Sequence, residues 1–403
     1  MAALGPWEPR PRLAVAVSGG ADSTALTLLA DAWVRPRGGS LLALIVDHTL
    51  RTDSAAEAEL TAERLTARGI AVRLLRATGL TRGPAMAERA RAERYRLLTA
   101  ACAEAGILHL LLGHHAADQA ETVMIRVLRH SADRGLAAMP ALAGTASLRL
   151  LRPLLTVPPE HLRRMLTRAG MPWIEDPSNR DPKALRARLR AVRGVGTQAL
   201  CVAAASAGRH RAERDRAVAA VLADRVSIRP EGFAVLSPGP IAPDALAALV
   251  QTIGGAPYAP ASDRIAALAA APGPATLAGV RLLPAGRLGP GWLVVREAAA
   301  MAPPIQARPG SVWDGRFRLA ADAQPPEGAT IGPLGSESAS LRRWSDLPAS
   351  VLRTLPALRC GNLLAAVPHL LYPDPIACAQ VRIVPHPPQP MAGAPFYPVS
   401  PGG

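Results

Sequence analysis

The sequence predicts an α/β fold: a parallel twisted sheet with helices on both faces, followed by a helical segment and a smaller mixed C-terminal region. Three observations predict it. Apolar runs of strand length alternate with helical patterns through residues 13–129, a glycine turn sits directly between the first run and the first helix, and polar residues cluster just after three of the runs. Repeated strand–helix units of this length favour parallel pairing with right-handed crossovers, which covers both faces of the sheet.

The elements follow in order. Residues 13–17 form an unbroken apolar run, as a strand buried on both faces requires. Ser18-Gly19-Gly20 breaks it, and residues 21–33 read as a helix. Residues 41–46 give a second buried strand and 54–69 an amphipathic helix ending in glycine. Residues 70–75 give a third strand, 86–105 a long helix closed by Gly106, 107–112 a fourth strand and 115–129 a further helix. The texture changes near residue 194. Residues 203–225 read as an Arg- and Ala-rich helix, 243–253 and 262–271 as two more, and 280–283 with 292–295 as a hairpin. A short strand is expected at 316–320, and the Pro- and Gly-dense stretch 385–403 is expected to lack fixed structure. These changes divide the chain into 1–195, 196–275 and 276–403.

The junction after the first strand carries the first chemical signal. A strand, a glycine turn and a helix start bring free backbone N–H groups and the positive end of a helix dipole to one point, where an anion can approach closely. The loop lacks the lysine of the Gly-x-x-x-x-Gly-Lys-Ser/Thr pattern and carries Asp22 instead. A carboxylate beside a polyphosphate calls for a divalent cation between them, so Asp22 implies Mg²⁺. In parallel sheets ligands bind beyond the carboxyl ends of the strands. Asp47-His48 and Gly113-His114-His115 follow the second and fourth strands and so share that rim. His114, Asp118 and Glu121 fall at i, i+4, i+7 and share a helical face. Two acids there either complement the helix dipole or serve a cationic amine, and their place on the rim favours the second.

Composition narrows the partners. The 403 residues exceed one ordinary core and suggest two or three domains. A net charge of +15 points to a polyanion, although all but one of the basic residues (Lys183) are arginine and part of this excess reflects compositional bias. No apolar run approaches the roughly twenty residues of a membrane span, so no membrane partner is expected. Cys102, Cys201, Cys360 and Cys378 are scattered without a C-x-x-C pair, which argues against a zinc ribbon or disulfide framework and fits a cytoplasmic setting.

Ser18-Gly19-Gly20-Ala21-Asp22-Ser23 resembles the pyrophosphate-binding (PP) loop of the N-type ATP pyrophosphatases. Val46-Asp47-His48-Thr49-Leu50-Arg51, Ala90 to Tyr95, the His114-His115…Asp118-Gln119-Ala120-Glu121-Thr122 block, Arg152-Pro153-Leu154-Leu155, Asp176-Pro177-Ser178-Asn179 and Arg186 to Arg190 follow it. In this order and spacing the series resembles the tRNA(Ile)-lysidine synthase family over about residues 10–195. The chain departs from that pattern at Ala117, where the family usually has a second acid.

The resemblance implies a Rossmann-like PP-loop fold and a carbon–nitrogen ligase. Such an enzyme uses ATP to join free L-lysine to C2 of the wobble cytidine of tRNA(Ile) with a CAU anticodon, through an adenylated intermediate, releasing pyrophosphate and AMP. It implies that Ser18, Gly19, Gly20, Ala21, Asp22 and Ser23 hold ATP, with Asp22 on Mg²⁺. Asp118 and Glu121 orient or deprotonate lysine, His114 is nearby, and Arg91 contacts nucleotide or substrate carboxylate. Asp47 and His48 are divided between a strand-end hydrogen-bond network and direct contact, and Tyr95 is expected to pack. Arg186, Arg190 and Arg193 form either an RNA-facing stripe or a solvated face. Two other readings stay open: a PP-loop tRNA thiolase, disfavoured because Cys102 has no cysteine partner in sequence, and a catalytically decayed tRNA-binding protein. The sequence leaves the oligomeric state, a homodimer among the options, undecided.

Overall fold

The structure, a computed structural model, describes residues 1–49, 53–78, 83, 85–131, 133–145, 147–175, 196–260, 263–393 and 396–398. Two compact units emerge, Met1–Glu213 with Pro395–Gly403, and Arg214–Ala394. The division falls inside the long helix Thr197–Arg225, and one sheet of the second unit runs across residue 275. Neither feature follows the composition changes on which the three-part division was drawn.

The first unit is built on a six-stranded sheet of order β3-β2-β1-β4-β6-β5. Its strands are β1 Arg12–Val17, β2 Ser40–Asp47, β3 Ala71–Arg76, β4 His109–Leu112, β5 Leu142–Gly144 and β6 Arg149–Leu151. β1 pairs in parallel with both β2 and β4, β3 joins β2 and β6 joins β4 in parallel, and only β5 runs antiparallel. The helices are α1 Ala21–Val34, α2 Ser54–Thr66, α3 Met86–Glu104, α4 Ala116–Leu128, α5 Asp133–Leu136 and α6 Pro159–Arg168. β1 to β3 progress one way across the sheet, and the chain then returns to the other side of β1. This reversal opens a crevice between β1 and β4 at the carboxyl edge.

Alternation along the central strands explains the two layers. Leu13, Val15 and Val17 join Ala25, Leu26, Leu65 and Leu166 in the core on the α1, α2 and α6 face. Ala14, Ala16, Leu110 and Leu112 join Leu98, Ala101 and Cys102 of α3 on the other. β3 is an edge strand and largely exposed. β5 and β6 have no counterpart in the sequence reading, because three-residue strands carry too little periodicity to register, and α6 has none either. The N-terminal segment is tied to the sheet by polar contacts. Buried His109 Nε2 meets both carboxylate oxygens of Glu8 at 2.9 Å, and Arg149 donates to the carbonyls of Leu4, Gly5 and Pro6.

The helix expected at 203–225 starts earlier, at Thr197. The expectation for 385–403 also needs correction. Ile383–Pro385 is a strand, Phe396 is buried, and Ala141 N donates to Tyr397 O at 2.9 Å. Arg211 lies 4.5 Å from the Phe396 ring centroid, and Gly208 leaves room for that ring. Within residues 396–398 this aromatic is the packed side chain.

In the second unit the antiparallel sheet β7-β8-β11-β10-β9 (Val226–Arg229, Phe233–Leu236, Trp292–Arg296, Val280–Pro284, Ala275–Leu277) packs against helices Pro243–Gly254 and Asp263–Ala270. The expected hairpin is present, with Leu282 opposite Val294. The strand expected at 316–320 is Phe317–Leu319. At the centre of this unit Asp314 accepts from Arg316 Nε at 2.7 Å, from both Nε and Nη2 of Arg296 at 3.1 Å, and from Ala302 N at 2.8 Å. Burial lowers the Arg316 guanidinium to about 10, against the pull of Asp314. Breaking such a cluster strands charge in the interior. D314A is therefore expected to destabilise the second unit by about 3–5 kcal/mol, read as an early denaturant transition. No helix among the described residues is long and apolar enough to cross a membrane.

Candidate active site

A cavity of about 680 Å³ lies at the carboxyl edge of the first unit's sheet. Its floor is the loop after β1. Gly19 has φ +79°, and a Cβ there would meet Thr61 Oγ1 at 2.7 Å and Ile174 Cδ1 at 3.1 Å, so both conformation and space require glycine. Ser18 N donates to Ser23 Oγ at 3.1 Å, and Ser23 Oγ donates to Gly20 O at 3.1 Å. The Ser18 and Ser23 hydroxyls are 3.2 Å apart. These bonds fold the loop onto the first turn of α1. No side chain caps that helix, whose start at Ala21, Asp22 and Ser23 lines the cavity. Uncapped first-turn amides at a dipole's positive end suit a phosphate.

The second element is the β4–α4 junction. Gly113 permits the contact: a Cβ there would lie 3.1 Å from Ser23 Cα and N and 3.3 Å from Asp22 C. Beyond it, His115 caps α4, and its backbone N–H donates to Asp118 at 3.0 Å. Asp118 thus serves the helix end as the dipole argument expects, and it lines the cavity as well. His115 Nε2 lies 3.4 Å from Asp22 Oδ2 and 3.6 Å from Asp118 Oδ2. Burial opposes a charge on this ring, but Asp22, Asp118 and Glu121 outweigh it and raise its pKa. His114 behaves oppositely. Burial and then Arg152 push it down to about 4, with Arg91 and Arg94 adding to the effect and Asp118 opposing it. Two adjacent histidines are thereby shifted in opposite directions.

The third element is α3. Arg91, Arg94 and Tyr95 line the cavity, with the Arg91 guanidinium 5.1 Å from the Tyr95 ring centroid. Tyr95 also packs on the α3-side core, so it does both jobs. A fourth group comes from the opposite face: Pro159 and Arg163 of α6, and Trp173, Ile174 and Glu175. Ile174 N donates to Gly19 O at 2.9 Å, fastening this segment to the phosphate loop.

Most of the residues expected from sequence converge. Ser18, Gly20, Ala21, Asp22, Ser23, Arg91, His114 and Asp118 line the cavity, while Gly19 holds the turn beneath it. Glu121 does not line it. Seven residues beyond His114 on α4, it is 1% exposed, and its link to the cavity is its charge on His115. Asp47 resolves toward the hydrogen-bond network: buried, it accepts from Thr49 N at 2.8 Å and Ser54 Oγ at 2.7 Å. His48 is half-buried outside the lining, its pKa lowered by burial and by Arg94. Ala117 is buried and outside the lining too. Arg51, Asp176 to Asn179, Arg186, Arg190 and Arg193 lie outside the described residues. His115, Arg94, Arg163 and Trp173 were not singled out from sequence. His115 and Arg94 sat inside recognised blocks, whereas nothing local marks Arg163 or Trp173. Cys102 of α3 is buried in the core with its thiol pushed up to about 11, and none of the residues lining the cavity is a cysteine.

Residues 2–193 match the family model described as a PP-loop domain. A tRNA(Ile)-lysidine synthase of Mesorhizobium japonicum is 36% identical over 385 residues, covering 88% of this chain and 81% of that protein. One of Ruegeria pomeroyi is 34% identical over 380 residues, covering 90% and 89%. One of a Bradyrhizobium species is 44% identical over 182 residues, and there the match spans 45% of this chain and about half, 51%, of the relative.

Two predictions follow from this geometry. G113A should push the β4 end off Ser23 and weaken ATP binding, measured by calorimetry, while leaving the unit folded by circular dichroism. NMR titration should find His114 with a midpoint near 4 and His115 above its ordinary 6.5. D118N should lower both, since Asp118 favours charge on each ring. The stability His114 contributes is present above 6.5 and is lost as pH falls toward 4. That of His115 is present below 6.5 and is lost as pH rises through its raised value.

Proposed function

The chain belongs to the tRNA(Ile)-lysidine synthase family, and we propose that it joins free L-lysine to C2 of the wobble cytidine of tRNA(Ile) with a CAU anticodon. It is an ATP-dependent ligase with a PP-loop domain. The observation that carries the proposal is the convergence, in one cavity, of a phosphate loop, a carboxylate able to hold an amine and a pair of arginines.

In the first step the cytidine C2 oxygen attacks the α-phosphorus of ATP, and pyrophosphate leaves. The loop amides of residues 18–23 hold the phosphates in line for this displacement. In the second the ε-amine of lysine attacks C2, the C2–oxygen bond breaks, and AMP leaves with the oxygen. Asp118 orients the amine and takes up its proton, since only the deprotonated amine is a nucleophile. His115 fixes the spacing of Asp22 and Asp118, and Glu121 acts through His115. Arg91 and Arg94 face the anionic groups, either phosphate or the lysine carboxylate. His114, neutral at physiological pH, adds no further positive charge beside them.

Asp22 fits a Mg²⁺ ion. Its Oδ1 is buried without a hydrogen-bond partner among the described residues, and this oxygen would hold the cation. Bound there, Mg²⁺ would neutralise charge on the polyphosphate. The rest of the tRNA falls to the residues beyond 196, since telling one tRNA from its near relatives takes more surface than the anticodon. Sulfur transfer would need a thiolate at the cavity, and the burial of Cys102 works against one.

Incubation of the full chain with ATP, labelled lysine and unmodified tRNA(Ile) transcript tests the reading. Label should enter the RNA, and pyrophosphate release should depend on tRNA. D22A should cut turnover by about 10²–10³-fold. D118A should raise the KM for lysine about tenfold to a hundredfold and leave that for ATP nearly unchanged. Pyrophosphate release without label in RNA would overturn the assignment.

A further inference from the structure

We propose that Trp173 is the surface on which the target RNA base stacks when it enters the cavity, an inference that rests on the reading of this cavity as the site of cytidine modification. The cavity straddles the sheet edge and has two chemically distinct walls. α3, on one face, contributes Arg91, Arg94 and Tyr95. The opposite wall comes from α6 and the segment after it, which pack on the α1 and α2 face. Trp173 and Ile174 make that second wall the more apolar one.

The indole is held rather than merely present. Its Nε1 donates to Glu175 Oε1 at 3.2 Å, which ties down the ring edge. Ile174 N is bonded to Gly19 O, which fixes the backbone next door to the phosphate loop. Trp173 is half-buried, with one side on the core and the other toward the cavity. Four of the other five tryptophans lie against a ring or a guanidinium, as Trp7 does with Trp33 and Arg149. Among the described residues Trp173 has no such ring or guanidinium partner. A large, immobilised aromatic at a cavity wall suits a planar heterocycle.

Two bases could use it, the adenine of ATP or the base of the RNA. The RNA base is the better fit. Chemistry at C2 requires the cytidine to leave its stack, and the lost stacking is restored by an aromatic surface in the pocket. Arg163 is exposed on the same wall, where a backbone phosphate would accompany an incoming nucleotide.

The test is steady-state lysidine formation by the full chain, varying tRNA(Ile) transcript, ATP and lysine in turn. W173A should raise the KM for tRNA about tenfold to a hundredfold and leave the KM for ATP unchanged, while W173F, which keeps a π face, should lose only a few-fold. A rise confined to the KM for ATP would seat adenine on the indole and overturn the proposal, as would an unchanged KM for tRNA. A second measurement does not depend on turnover or on W173A folding. The fluorescence difference between the native chain and W173F should quench on titration with an unmodified CAU anticodon stem-loop. It should not quench with a stem-loop abasic at the wobble position. If the native chain makes no lysidine but this quenching holds, the reaction assignment fails and stacking stands. If lysidine forms without quenching, stacking fails and the reaction assignment stands.

Discussion

The contact on which the site depends is the approach of β4 to the phosphate loop. The sheet order sets β1 and β4 side by side and sends their following loops apart, so a crevice is unavoidable. It becomes a binding site because Gly113 carries no side chain, and the β4–α4 turn can therefore rest on the backbone of Asp22 and Ser23. Gly19 does the same on the other side, where Thr61 and Ile174 close in. Two missing Cβ atoms bring a helix start, a carboxylate pair and the strap at Ile174 around one volume.

That proximity also sets the electrostatics. Asp22 and Asp118 come from different helices and would repel across the cavity floor. His115 lies between them, and its raised pKa is the counterpart of that repulsion. One residue earlier, His114 faces arginines and burial, and it gives up its proton instead. The backbone alternation at the end of a strand thus shifts neighbouring identical side chains in opposite directions. An anionic substrate entering such a cavity meets Arg91 and Arg94 on one side and the Asp22–His115–Asp118 cluster on the other.

Much of this was legible in the sequence, for stated physical reasons. Residues 13–17 and the loop after them announce a buried strand and an anion turn because apolar runs and paired glycines have few other uses. His114 and Asp118 were legible because helical spacing puts them on one face. Glu121 shares that face but not that depth, and periodicity reports direction around a helix axis, not distance from the solvent. Trp173 was illegible for another reason. It belongs to an irregular segment tied to the phosphate loop by a backbone bond, Ile174 N to Gly19 O, between residues far apart in sequence. The short strands β5 and β6 were missed because their pairing partners, not their own residues, make them strands.

Net charge alone does not locate an RNA-facing surface. A protein of +15 invites the view that its arginines face RNA, yet many are occupied within the fold. Arg225 donates to the carbonyls of Ser237, Pro238, Gly239 and Pro240, and Arg149 to those of Leu4, Gly5 and Pro6. Arg359 reaches Pro333 and Leu334, and Arg126 reaches Gly135 and Ala138. Many of these carbonyls sit beside proline or glycine, as at 4–6 and 237–240. Proline brings no N–H, so such stretches are short of donors. A guanidinium offers five donors in a fixed fork and can satisfy several carbonyls at once, which a lysine ammonium does less well. In a chain with 40 prolines and a single lysine, arginine is both structural cross-link and surface charge. The arginines that matter for an anionic substrate are those without such duties, and Arg94 and Arg163, which line the cavity and make no such carbonyl bonds among the described residues, belong to that smaller set.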